Sequence, residues 1–270
     1  MNLHDRSDLY DHDKRRDEIA EDREGRERRF WDEHVPSVAD CLREYHAGPD
    51  VMTAAMLDAV EPLAGARVLD FACGTGITSA WLAANGADVI GIDLSPATVA
   101  RAAELCRAAG VDVRFIAGAF ETQTDLGAFD RIVGRFALHH VDVATVAPTL
   151  ASRLRPGGVA AFIETMDSNP VLRLARRHLV GRFGIPRFGT RDEHPLTRDD
   201  LAVLERAFGE LELRVPRLTF FRILDRQVFR HRSQRASRTL GALDDFLLER
   251  IGLDSWSYHQ LVVVRRPDGN

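Results

Sequence analysis

The run Val68-Leu69-Asp70-Phe71-Ala72-Cys73-Gly74-Thr75-Gly76 constrains this chain more than any other stretch. An apolar segment ends in a carboxylate, and a Gly-x-Gly turn follows at once. Trp81, Leu82 and Ala83 continue in a helix-like run. Ala87-Asp88-Val89-Ile90-Gly91-Ile92 then closes on a second acid, Asp93. Strand, glycine turn, helix, strand and acid, in that order, predict a nucleoside-binding crevice at the carboxyl end of a parallel sheet. Glycines in such a turn let the backbone pass close to a ligand. Asp93 stands where a two-pronged acceptor matches a ribose diol.

The surrounding pattern supports that reading. Strands are expected near 66–71, 87–92, 112–116, 129–134 and 157–164, and helices near 77–85, 96–109 and 143–153. Ser95 caps the second of these helices, Pro96 opens it and Gly110 stops it. Arg155-Pro156-Gly157-Gly158 is a turn that launches the fifth strand. Upstream, Phe30, Trp31, Val35, Val38, Leu42 and Tyr45 recur at helical intervals, and Met52, Met56, Leu57 and Val60 mark a second helix. Downstream, helical pieces are expected at 170–180, 197–208 and 225–250. Two late strands at 211–218 and 258–265 can pair antiparallel at one sheet edge, with helices of 219–255 inserted between them.

The expected class is therefore α/β, a doubly wound and mostly parallel sheet with N-terminal helices and a helical cap. The chain divides into a charged arm (1–29), a helical lid (30–64), a nucleoside-binding core (65–165), an Arg-rich helical cap with a late strand (166–257), and a last strand and tail (258–270). The arm is dense in alternating acids and bases, which predicts a solvated helix or a disordered segment.

Composition excludes several classes. A net charge of −5 gives no reason to expect nucleic acid as a partner. Three cysteines (Cys41, Cys73, Cys106) lack Cys-x-x-Cys spacing, which argues against a disulfide framework and a zinc site. No metal site is expected. No window approaches the roughly 18 apolar residues of a membrane span, and the arm has no apolar signal core, so the expected location is the cytoplasm. Residues 170–240 hold sixteen Arg against eight Asp plus Glu, a balance of 16 − 8 = +8. That region reads as a solvated helix face, as a site for an acidic or phosphorylated small-molecule acceptor, or as amphipathic helices resting on anionic lipid. Oligomeric state is not legible.

A nicotinamide fingerprint has Gly or Ala at a third position, where this chain has Ser79. Asp70 suits a ligand carrying positive charge near the turn, and S-adenosylmethionine carries an ammonium and a sulfonium. With 68–76, 91–95, 129–141 and 154–158 in this order, the chain resembles the class I S-adenosylmethionine-dependent methyltransferases over about residues 60–165. The resemblance implies a seven-stranded sheet whose last strand is antiparallel. It implies a cofactor site in which Asp70, Ala72, Gly74 and Gly76 line the methionine end. Asp93 then holds the ribose, Leu94 packs on adenine, and Ala119 and Phe120 cover the adenine edge. Arg135 and Phe136 face the methionine portion. An aspartate is common in the family where this chain has Ala119, so Glu121 or a backbone carbonyl is left to receive the adenine amino group, and Phe120 can stack.

Methylating a neutral hydroxyl also requires removal of a proton, for which an imidazole is suited near neutral pH. His139 and His140 lie just past the fourth strand, and Glu164 ends the fifth. In some sugar methylators of the family such a pair and acid serve as base and orienting group, while relatives that need no base carry the pair too. Arg191 and His194, in a polar segment after the fifth strand, and Trp31, in the N-terminal helix, are candidate acceptor contacts. Each also reads as surface loop or ordinary packing. The expected function is methyl transfer to a small molecule, with O-methylation of a sugar, glycoside or other secondary metabolite favoured. N- or C-methylation of an amine or quinol, and a cofactor-binding cyclase or decarboxylase, are the alternatives.

Overall fold

The computed structural model describes residues 23–178, 194–226 and 233–268. Seven strands form one sheet: β1 (Arg67–Phe71), β2 (Asp88–Asp93), β3 (Arg114–Ala117), β4 (Phe129–Arg135), β5 (Leu154–Thr165), β6 (Glu210–Arg214) and β7 (His259–Arg265). Their order is β3-β2-β1-β4-β5-β7-β6. Pairs among β1 to β5 are parallel, and β7 runs antiparallel to both β5 and β6. The late strand pair expected from the sequence is present, with β7 inserted between β5 and the edge strand.

The strands are apolar because helices cover both faces. The helices are α1 (Arg23–Glu33), α2 (Val38–Ala47), α3 (Val51–Ala59), α4 (Ile77–Ala84), α5 (Pro96–Ala109), α6 (Val143–Arg153), α7 (Pro170–His178), α8 (Arg198–Phe208), α9 (Phe221–Leu224) and α10 (Gln234–Phe246). On one face Leu150 of α6 and Leu204 and Phe208 of α8 pack with Leu69, Phe162 and Val262. On the other, Met52 and Met56 of α3 pack with Val133, Ile163 and Leu261. Chain order reverses between β1 and β4, so the crevice opens at their carboxyl ends.

Three boundaries differ from the sequence expectation, each for a local reason. The helical pattern of 30–45 is two helices. Pro36 disfavours helical backbone at Val35, and Ser37 restarts the helix by accepting from the Asp40 N–H at 3.2 Å. Helix α1 crosses the 29/30 boundary, and Gly25 and Glu27 are buried, so residues 23–29 are not a solvated arm. Strand β6 ends at Arg214 rather than 218, because Pro216 has no N–H for the ladder. Among the described residues no helix is long and apolar enough to cross a membrane.

Candidate active site

The turn after β1 runs through left-handed backbone at Ala72 (φ +53°), Gly74 (φ +51°) and Gly76 (φ +75°). At Gly76 a side chain is excluded twice over: a Cβ there would lie 2.6 Å from the Ala102 Cβ on α5. The turn is tied to β2 through Asp93. One carboxylate oxygen accepts from the Gly74 N–H at 2.8 Å. The other accepts from the Ser95 N–H at 2.9 Å and the Thr98 hydroxyl at 3.0 Å. A carboxylate offers about four lone-pair directions. Three are filled, so the expected two-pronged grip on a diol is reduced to one open direction, on the oxygen that faces Gly74. Burial pushes the Asp93 carboxyl upward, opposed by those same N–H groups.

Asp70 does not line the crevice as expected. It is 1% exposed, beneath the turn, and accepts from the Ser79 hydroxyl at 2.5 Å. Burial pushes it up to about 7, against the opposing pull of Ser79 and of the Arg135 charge. Gly74, Gly76 and Asp70 do not line the adjoining cavity. That cavity, of 430 Å³, is walled by Trp31, Ala72, Asp93, Leu94, Ala119, Phe120 and His140 among the nominated residues. Phe120 is itself buried, edge-on to Phe71 at 5.5 Å, so its ring completes the wall. The volume lies within the range of small-ligand sites.

Helix α1 roofs this cavity through Arg23, Glu24, Glu27 and Trp31, of which Trp31 alone was nominated from the sequence. Glu27 is 7% exposed, and its Oε1 accepts from the Trp31 indole N–H at 2.6 Å and lies 2.7 Å from His140 Nδ1. Asp32, one turn on, accepts from the Ser95 hydroxyl at the start of α5. Trp31 and His140 thus meet at this cavity, their rings edge-on at 5.9 Å. Only the i, i+4 spacing of Glu27 and Trp31 could have signalled this, and it is lost among the charges of 1–29.

His139 turns the other way. Its Nδ1 lies 2.8 Å from Glu164 Oε2. Glu164 Oε1 accepts from the N–H groups of Ala137 and Leu138 at 2.8 and 2.7 Å. Glu164 is fully buried, so every oxygen is used in holding the turn after β4. Arg135, at the end of β4, has a long ion pair of 3.8 Å with Glu44 of α2. His194 is exposed and does not line the cavity under α1, and Arg191 lies outside the described residues. A larger cavity of 760 Å³, between α8 and the ends of β5 and β7, contains none of the nominated residues.

Residues 68–158 match the family model described as a methyltransferase domain. The chain is 32% identical over 190 residues to the ubiquinone biosynthesis O-methyltransferase of Methylobacterium sp. (strain 4-46), covering 64% of this chain and 73% of the relative. Among solved structures it resembles magnesium protoporphyrin IX methyltransferase from Synechocystis PCC 6803 with bound cofactor. There the TM-score is 0.54 and the identity 14%, over 91% of this chain and 98% of that one. It also resembles a Haemonchus contortus phosphoethanolamine N-methyltransferase holding S-adenosylhomocysteine. That match has a TM-score of 0.51 and 19% identity, over 80% of this chain and 52% of that one. The turn, the acid at the end of β2, the seven-stranded sheet and these matches agree: the chain belongs to the class I S-adenosylmethionine-dependent methyltransferases.

Proposed function

We propose that the protein methylates a hydroxyl oxygen of a small aromatic acceptor, with His139 as the general base and Glu164 as its orienting partner. The observation that carries this is the 2.8 Å contact between His139 Nδ1 and a Glu164 carboxylate already fixed by two backbone N–H groups. A carboxylate can only accept, so His139 Nδ1 carries the proton it shares with Glu164. Nε2 then keeps its lone pair to take the proton of an acceptor hydroxyl. S-adenosylmethionine supplies the methyl group from its sulfonium. Ala72, Asp93, Leu94 and Phe120 are the residues to hold it, under the roof of Glu27, Trp31 and His140.

The named activity of the Methylobacterium relative supports an oxygen acceptor of quinone type, in place of the sugar or glycoside expected from the sequence. Exposed Val171 and Leu174, interleaved on α7 with Arg173, Arg176 and Arg177, support contact with an anionic lipid surface. The test is turnover of phenolic and sugar acceptors with S-adenosylmethionine, reading S-adenosylhomocysteine. Formation with phenols that falls by about 10² or more in His139→Ala supports the reading. Formation with sugars alone, or unchanged turnover in that variant, overturns it.

A further inference from the structure

On the face of the sheet that α3 covers, Thr165, His259 and Phe136 gather at the carboxyl end of β5, Phe136 in ring contact with His139, and none of the three lines the cavity under α1. Thr165 ends β5 and pairs directly with His259, the first residue of β7. Directly opposed residues of an antiparallel pair share a face. Ile163 and Leu261, two residues along each strand, pack in the cluster of α3 on that same face, with Phe136 against it. The Phe136 ring meets both imidazoles edge-on, 5.1 Å from His259 and 6.4 Å from His139.

Two polar atoms here have no hydrogen-bond partner among the described residues. One is the Thr165 hydroxyl, on a residue only 8% exposed, and the other is Nε of Arg135, next to Phe136 in the chain. Buried polar groups are almost always paired, and leaving one unmet costs about 1–3 kcal/mol. An orphan hydroxyl beside a reacting site is satisfied by what binds there. His259 is the matching neighbour. Burial, helped by the charge of Arg226, pushes it down to about 4, so near neutral pH it offers one N–H and one lone pair without charge.

We infer that Thr165 and His259 form a subsite for a second oxygen on the acceptor ring, with Phe136, in ring contact with both His259 and His139, as the aromatic wall that the two oxygens share. This rests on the aromatic acceptor proposed above. The subsite is a specificity device. It recognises an uncharged hydroxyl or carbonyl through hydrogen bonds and rejects a ring that lacks it, because the Thr165 hydroxyl then stays unmet.

The experiment is an NMR titration of the S-adenosylhomocysteine-loaded protein with two probes, 1,2-dihydroxybenzene and phenol. Wild type is expected to prefer the dihydroxy ring. Thr165→Val, which keeps the side-chain shape, and His259→Phe are each expected to weaken that ring about three- to tenfold. Phenol binding and S-adenosylhomocysteine affinity stay unchanged. Thr165→Ser restores the preference. Equal binding of the two probes by wild type, or an undiminished preference in both variants, overturns the subsite while leaving the aromatic acceptor standing. Failure of wild type to bind either ring overturns the aromatic acceptor itself, and the subsite with it.

Discussion

The imidazoles of His139 and His140 lie 4.1 Å apart and tilted by 36°, yet each is bound to a different carboxylate, Glu164 in the sheet and Glu27 on the N-terminal helix. Neighbours in sequence are thereby divided between two tasks. His139→Ala is expected to lower kcat by about 10² or more, the usual scale of a lost general base. His140→Ala is expected to raise the KM for S-adenosylmethionine and leave kcat largely intact. Steady-state kinetics with both substrates varied separates the two. Equal losses of kcat in both variants contradict the division.

Asp70 and His259 set opposite pH dependences on stability. Asp70 is raised to about 7, so between about 4 and 7 the folded state holds a proton that the unfolded state has released. Its contribution therefore declines as pH rises through that window. His259 is lowered to about 4, so between about 4 and 6.5 the unfolded state is the one that binds the proton. Its contribution grows as pH rises. Relative to wild type, Asp70→Asn should gain stability steadily from pH 4 to 7, and His259→Gln should gain it on going from pH 6.5 down to 4. Urea denaturation across a pH series reads both slopes.

Gly76→Ala is expected to destabilise the fold by about 2 kcal/mol or more. A left-handed residue with a Cβ costs roughly 1–2 kcal/mol, and a clash against α5 adds to it. Ala72→Gly, at a similar φ but without such crowding, should be neutral to about 1 kcal/mol stabilising. Chemical denaturation of the two variants gives opposite or unequal shifts if backbone handedness governs this turn.

Asp32→Ala removes the acceptor for the Ser95 hydroxyl and loosens helix α1 from the start of α5. The stability loss is expected to be about 1 kcal/mol. Release of S-adenosylhomocysteine should become faster, because the same helix roofs the cavity proposed to hold it. Stopped-flow displacement measures that rate. An unchanged rate argues that α1 does not control exit.

The parts of the fold that were legible in the sequence are those where local rules and tertiary packing agree. Ser95, Pro96 and Gly110 bound α5 at the residues predicted, because a cap, a fixed φ and a left-handed stop all act locally. Asp93, Leu94 and Ala72 reach the cavity because the strand ends dictate it. Glu27, Thr165 and His259 were invisible for a different reason. Each gains its meaning from a residue more than 90 positions away: Glu27 from His140, and Thr165 and His259 from one another. Asp70 was misread because its strand-end position points equally to a ligand and to Ser79 on the following helix.

The strand order leaves β6 with β7 as its neighbour, although β7 is the later of the two in the chain. A stop codon or a protease cut ahead of residue 259 would therefore strip two strands from the sheet together. The long flank of β5, with Phe162 and Ile163 on it, would lie bare. Such an unprotected border templates intermolecular association, so loss of β7 (His259–Arg265) should be seen first as insolubility.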